Sequence, residues 1–369
     1  MSIHGIGHAP FQRLPTDMRL GASGGIIDCF ARIWNVFTSA VRSFLSWIGL
    51  IFGCTLFSFH PGPQIQDRLI RQMQYCSHQM QHEPSKPFHF QAAPAAWDQH
   101  EERVGSYHIG FSHIQGRRPS MEDEHLATSF ALTIAGRQYP VHLFGIFDGH
   151  GGREAARFVK NNLQAKLQTV LIQCNPQALS DEGVWSALKR ATAELNEEFK
   201  NRYGNIANTQ GTTATIAMIL DQKLWTANVG DSRTVLDHCG EAIQLSEDAK
   251  PDDPRYKRGI EKRGGSVVIR DVPRVNGSLA VARAIGDHAL RGAINARPKI
   301  TVKPLREIHP GSHLILSCDG IYDVARTQDI VHTVHTHRNK SAGALAADIT
   351  HSAFYSGSAD NLSSLVVKL

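Results

Sequence analysis

The chain has 369 residues, 41% of them hydrophobic and 20% charged, enough to bury an ordinary globular core in one large domain with an appendage or in two or three average ones. Its net charge of +5 is not gathered into a Lys/Arg block, which argues against a nucleic-acid-binding protein and reads as a solvated surface. Six cysteines (Cys29, Cys54, Cys76, Cys174, Cys239 and Cys318) are irregularly spaced with no C-x-x-C pair, which excludes zinc-finger spacing and points to reduced thiols in a cytosolic setting.

Residues 1–60 form an apolar N-terminal segment. From Gly24 to Phe59 only Asp28, Arg32 and Arg42 interrupt the apolar pattern, and the run from Ser43 to Phe59 carries no charge. That run is at the short limit for a bilayer-spanning helix, and Trp34, Trp47 and several Phe suit an interfacial one, so membrane association through residues 24–59 is expected. A helix packed against the rest of the protein is the alternative. More than forty residues precede the uncharged run, so a secretory signal peptide is not expected. Residues 61–100, rich in Gln, His and Pro, read as a linker with one short helix near Gln64 to Gln79.

From residue 101 to Leu369 the pattern is globular throughout. Periodicity predicts strands at Val141–Phe147, Thr213–Leu220, Leu224–Val229, Ser266–Ile269, His313–Ser317 and Leu362–Lys368. It predicts helices at Arg153–Ile172, Asp181–Tyr203, Gln328–His337 and Ala342–Tyr355. Asp221-Gln222 between two apolar runs reads as a hairpin turn. Strands in consecutive groups with helices in pairs predict an α+β protein: antiparallel sheets with helices stacked outside.

Acids recur where strands end. Phe147-Asp148-Gly149-His150-Gly151-Gly152 closes the first strong apolar run, and Cys318-Asp319-Gly320 closes another. Asp360 precedes the final strand, Glu122-Asp123 precedes an apolar stretch, and Asp231 follows Asn228-Val229-Gly230. Each alone reads as a turn acid, and Asp148 as a helix cap. Together, without basic partners nearby in sequence, they would repel one another unless divalent cations neutralised them; the Gly149 carbonyl could add a further oxygen ligand.

The motifs RPSMED, DGHGG, GTTA, ANVGDSR, RVNGSLAVARAIGD, SCDGIYDV and SADNLSSLVV occur here in the order in which they stand in the metal-dependent (type 2C) protein phosphatases. The chain resembles that family over nearly all of residues 101–369. The resemblance implies a four-layer α-β-β-α sandwich and a phosphoserine/phosphothreonine phosphatase acting on phosphorylated proteins. It implies two Mg²⁺ or Mn²⁺ ions per subunit, with Asp148 bridging them, the Gly149 carbonyl on one, and Asp319 and Asp360 on the other. Glu122 and Asp123 would act through bound waters, Asp231 with Asp319 would hold a third, weaker ion, and Arg118 would clamp the phosphate. A water between two ions ~3.5–4 Å apart would be the nucleophile, and His150 the general acid. Cys318 is expected to pack rather than react, and the catalytic domain is expected to be a monomer in the cytoplasm.

The chain departs from the family pattern at Ala282, where relatives commonly have Ser, and at Ala249, where they usually have His. The basic helix from Arg255 to Arg263 is expected to lie by the cleft and to favour acidic or multiply phosphorylated substrates. Two other readings are a catalytically weak, membrane-bound binding or scaffold module of the same fold and a metal nuclease or phosphodiesterase. The retained Asp148, Asp319 and Asp360 argue against the first, and the missing basic footprint against the second.

Overall fold

The computed structural model describes residue 84 and residues 88–369 except Arg291. The apolar segment 24–59 and the helix expected near 64–79 lie outside the described residues. Among the described residues no helix is long and apolar enough to cross a membrane.

In chain order, the strands up to the first helix are β1 (His100–Val104), β2 (Tyr107–Ile114), β3 (Glu124–Ile134), β4 (Arg137–Phe147) and β5 (Gly149–His150). Helices α1 (Glu154–Cys174), α2 (Asp181–Tyr203) and the single turn α3 (Ile206–Thr209) follow. Next come β6 (Gly211–Thr212), β7 (Ala214–Leu220), β8 (Lys223–Val229), β9 (Arg233–His238) and β10 (Glu241–Gln244). A lobe with α4 (Pro254–Lys262) and the hairpin β11 (Val267–Ile269) and β12 (Pro273–Val275) leads to β13 (Ile285–Gly286). The chain closes with β14 (Lys299–Pro304), β15 (His313–Ser317), α5 (Asp319–Tyr322), α6 (Thr327–Thr336), α7 (Ala342–Tyr355) and β16 (Leu362–Lys368).

Two antiparallel sheets result, in the orders β1-β2-β16-β15-β9-β10 and β14-β8-β7-β4-β3. Helices α1 and α2 cover the outer face of the second, and α6 and α7 that of the first, giving the four layers expected. The reason is visible in β4 and β7. Val141, Leu143 and Phe147 face the α1–α2 core, while Phe144 and Ile146 face the core between the sheets. Likewise Ile216, Met218 and Leu220 point one way and Ala217 and Ile219 the other. Strands buried on both faces must read as unbroken apolar runs, and these do.

The helices show the complementary pattern. Val184, Leu188, Ala191, Leu195 and Phe199 recur at three- and four-residue spacing and line the buried stripe of α2. Ser180 caps it by accepting the Gly183 N–H at 3.1 Å. The β7–β8 hairpin turns through Asp221 (φ 50°) and Gln222 (φ 58°), the positive pair that a type I′ turn requires.

Residues 88–99, read from sequence as the end of a linker, are docked as a strap along α7. The Gln91 N–H donates to Ser352 Oγ (2.9 Å), the Ala93 N–H to Asp348 Oδ1 (2.8 Å) and the Trp97 indole to Thr350 Oγ1 (3.0 Å). Trp97 also packs edge-on against His351 and Phe354. Trp97→Ala removes an indole hydrogen bond and part of an aromatic cluster, so a loss of about 2 kcal/mol is expected. Urea unfolding of the full chain checks this; an unchanged midpoint would show that the strap adds nothing to stability.

Candidate active site

Each acid singled out above sits within two residues of the end of a strand, before it for Glu122, Asp123 and Asp360 and after it for Asp148, Asp231 and Asp319, and the fold brings these strand ends together. Asp148 follows β4 and its backbone is clamped: its N–H donates to Thr213 Oγ1 (3.1 Å), and its carbonyl accepts from the Thr213 N–H (2.9 Å) and Thr212 Oγ1 (3.1 Å). Asp148 caps no helix; at the start of α1 the exposed N–H groups of Gly152 and Glu154 instead donate to Glu122 Oε2 (3.0 Å) and Gln210 Oε1 (3.2 Å). Burial raises the Asp148 carboxyl well above the usual range, and the charges of Asp123, Asp319, Asp360 and Asp231 raise it further. Those four neighbours are the acids expected from sequence, brought together by the fold.

The cluster is short of hydrogen-bond donors. Asp123, 5% exposed, accepts from Ser363 Oγ through Oδ2 (2.7 Å), and its Oδ1 has no partner. Asp231, 2% exposed, meets Lys250 through Oδ2, and its Oδ1 has none either. Burial, chiefly, lifts Asp123 to about 7 and Asp231 to about 6. Asp319, Asp323 and Asp360 each offer a carboxylate oxygen, all within 4.8 Å of one another. Orphaned buried oxygens beside converging carboxylates are an all-oxygen donor set suited to a hard divalent cation. Among the described residues, the cations paired with the cluster are Lys250, which also lies 3.6 Å from Asp319, and Arg118, 2.6 Å from Asp360. Three of the acids, Asp231, Asp319 and Asp360, thus have basic partners that sequence proximity did not show.

Asp323 was not among the sequence candidates. It lies four residues after Asp319, across the single turn α5, at the exposed rim of the cluster, where partial desolvation and the Asp319 charge raise its carboxyl to about 7. The signal was present in the helical spacing of the two acids. Gly320 lets α5 approach the Asp360 loop: a Cβ there would stand 2.3 Å from the Asn361 carbonyl oxygen. Asn361 ties the site loops together. Its Nδ2 donates to the Gln115 and Ser120 carbonyls, and its Oδ1 accepts the Glu122 N–H (3.0 Å). Glu122 is already engaged by Ser120 Oγ (2.8 Å) and the Gly152 N–H, so it braces the DGHGG turn as well as facing the cluster.

Arg118 presents a half-exposed guanidinium (side chain 55% exposed) at the Asp360 edge. Arg117 beside it donates to the Ser358 and Phe354 carbonyls and lies over the Phe354 ring, anchoring the loop. His150 contacts Asp287 at 2.6 Å. Burial disfavours its imidazolium, but the charge and hydrogen bond of Asp287, with Asp231 and Glu122, raise its pKa above the ordinary histidine value. Cys318 is buried, accepts the Ser363 N–H, and burial pushes its thiol up, which makes it a packing residue as expected.

The basic helix behaves differently from the expectation. Arg255 is held by Asp253 (2.6 Å) and Glu247 (3.1 Å), so its charge is spent inside the lobe. Among the described residues, Arg258 and Lys262 of this helix form no ion pair, while Lys257 lies 4.0 Å from Glu261. The two departures from the family pattern meet: Ala249 and Ala282 lie in one apolar cluster, and the Ala282 N–H donates to the Ala249 carbonyl at 2.6 Å. Two methyl groups there leave no polar side chain needing a partner.

Comparison with known proteins agrees with this geometry. Residues 107–362 match the family described as Protein phosphatase 2C. Probable protein phosphatase 2C 76 of Arabidopsis thaliana is 36% identical over 264 residues, covering 72% of this chain and 59% of that protein. Probable protein phosphatase 2C 56 of Oryza sativa subsp. japonica is 36% identical, covering 70% of this chain and 69% of its own. The chain thus spans little more than half of some curated relatives it matches, 51% in the case of Probable protein phosphatase 2C 52 from rice. Among solved structures, a C. elegans sex determining protein aligns with a TM-score of 0.61 at 26% identity, over 72% of this chain and 66% of that one. A phosphatase from Toxoplasma gondii shares the fold, with a TM-score of 0.60 at 23% identity, over 71% of this chain and 92% of its own.

Proposed function

Because this chain belongs to the protein phosphatase 2C family, we propose that it hydrolyses phosphoserine and phosphothreonine esters in proteins with the aid of divalent cations held by the Asp148 cluster. The observation that carries the reading is the meeting of six aspartates, Asp123, Asp148, Asp231, Asp319, Asp323 and Asp360, with two orphaned carboxylate oxygens. Asp148, the Gly149 carbonyl, Asp319 and Asp360 would hold two Mg²⁺ or Mn²⁺ ions, and Asp231, Asp319 and Asp323 a third. Bound there, the cations supply charge that polarises the phosphoryl group and acidifies a water.

The protein's own groups do the rest. Arg118 offers a planar fork to two phosphoryl oxygens once Asp360 turns to a cation. His150 stands beside the cluster to protonate the departing seryl or threonyl oxygen. The Thr212–Thr213 clamp on Asp148 and the Asn361 bonds to the Glu122 loop keep the acids in register during turnover. With Cys318 buried and protonated, hydrolysis proceeds without a thiol nucleophile.

The test is hydrolysis of a phosphothreonine peptide by the full chain, with Mn²⁺, with Mg²⁺ and with excess chelator. Turnover with a cation that falls to background on chelation is expected. Folded protein that is inert with both ions, or turnover indifferent to chelator, would overturn the reading.

A further inference from the structure

Three two-residue strands form a small sheet of their own in the order β13-β6-β5. Gly211 pairs with His150 on one side and with Gly286 on the other. The sheet therefore sets His150 beside the residue that follows Gly286, which is Asp287, 137 positions away in sequence. The two side chains meet over Gly211. A Cβ on Gly211 would lie 2.0 Å from Asp287 Oδ2 and 2.5 Å from His150 Nε2, so only glycine leaves room for the contact.

The far side of this contact is braced. Asp287 has φ 50°, in the left-handed region that non-glycine residues seldom occupy, and its N–H donates to the Gln210 carbonyl at 3.0 Å. Asn196 of α2 accepts the Gly286 N–H through Oδ1 (2.8 Å) and takes His288 Nε2 on its carbonyl (3.0 Å). Asp287 is 5% exposed. A carboxylate can only accept, so His150 Nε2 must carry the hydrogen in this bond, and Nδ1 is the ring nitrogen that has no hydrogen-bond partner among the described residues.

We propose that Asp287 is a positioning residue for the reaction: it holds His150 by Nε2, fixes the ring plane, and leaves the Nδ1–H to meet the oxygen of the leaving alcohol. This rests on the phosphatase reading above. In the step it serves, the phosphorus–oxygen bond to the seryl or threonyl side chain breaks as water forms a new bond to phosphorus. The leaving oxygen takes the Nδ1 proton, and the proton lost by the water makes good the deficit on the imidazole. The Nε2 hydrogen stays on the ring, and Asp287 remains a carboxylate throughout.

The leaving group decides the test, because an alkoxide needs that proton and a nitrophenolate does not. Full-length wild type, Asp287→Asn, Asp287→Ala and His150→Ala are assayed with saturating Mn²⁺ on a phosphothreonine peptide and on p-nitrophenyl phosphate. Asparagine tolerates the left-handed backbone, so D287N should keep the fold; an unchanged Mn²⁺-induced thermal shift would verify it. The expected result is a loss in kcat of about a hundredfold on the peptide with D287N, the scale of general acid catalysis, and of less than about threefold on the aryl ester. His150→Ala should show the same skew, and the D287N/H150A double variant should be no slower than H150A alone. Equal losses on both substrates, or no loss on the peptide, would overturn the proposal while leaving the phosphatase reading intact. Wild type inert on both substrates sinks the two together.

Discussion

Asp148→Asn reduces cation-supported hydrolysis of a phosphothreonine peptide by about a thousandfold or more and, in chelator, raises the melting temperature of the protein. The two effects come from one cause. Asp148 is buried among Asp123, Asp231, Asp319 and Asp360, and its charge is opposed by both burial and neighbours. The charge is therefore a liability without a cation and, in the function proposed above, the group that would hold one. Asparagine keeps the shape and leaves the backbone clamp of Thr212 and Thr213 untouched. Removing charge repulsion stabilises the cation-free state, and each ~1 kcal/mol so gained moves the midpoint by about 2–4 °C in a domain of this size. Scanning calorimetry in chelator, beside the peptide assay, measures both. A variant that loses activity and also melts lower would mean that Asp148 is chiefly structural.

The second large effect is a stability that runs against pH unless a cation is present. Burial lifts Asp123 to about 7 and Asp231 to about 6 in the folded protein, far above the ordinary aspartate value. For acids raised by folding, the folded state holds the extra protons. Their contribution is fully present below pH ~4 and disappears as pH rises through 6 to 7. In chelator, stability should therefore fall between pH 5 and pH 8, by at most about 1.4 kcal/mol per pH unit for each proton involved. A divalent cation binds the deprotonated acids, so its stabilising effect should grow over the same interval and be accompanied by proton release. Thermal midpoints at pH 5.5 and 7.5, with and without Mn²⁺, suffice. Midpoints in chelator that stay level or climb toward pH 7.5 would contradict the acid-cluster account.

Much of this molecule was legible before its structure. The strands His313–Ser317 and Leu362–Lys368 and the helices Asp181–Tyr203 and Ala342–Tyr355 have the bounds that periodicity gives them, because each is a long buried run closed by turn or cap residues. Strand β3 was missed because most of its positions are only partly buried and carry Glu, His, Thr and Ser, which blur the alternation. The site acids were legible because an acid at the end of an apolar strand is conspicuous. Their partners were not: Lys250 reaches Asp231 across 19 residues, Arg118 reaches Asp360 across 242, and Asp287 reaches His150 across 137. Arg255 is engaged both locally, by Asp253 two residues before it, and by Glu247 outside its helix, which only the folded lobe brings near.

Strand β16 enters its sheet between β2 and β15, strands that stand far apart in the chain. It carries Ser363, which secures Asp123 across 240 residues, and Asp360 and Asn361 immediately precede it. The second sheet is different: four of its five strands, β3, β4, β7 and β8, fall with α1 and α2 within residues 124–229 and can assemble from a contiguous stretch, and only the edge strand β14 comes later. On the ribosome, that half has its full sequence first, while β2 and β15 wait as exposed edges for a strand not yet made. The acid cluster then closes in the final insertion, a long-range and therefore slow event. A cation cannot template the early stages of folding; it can only trap the finished product, and a chain halted before residue 360 would expose a sheet missing its central strand.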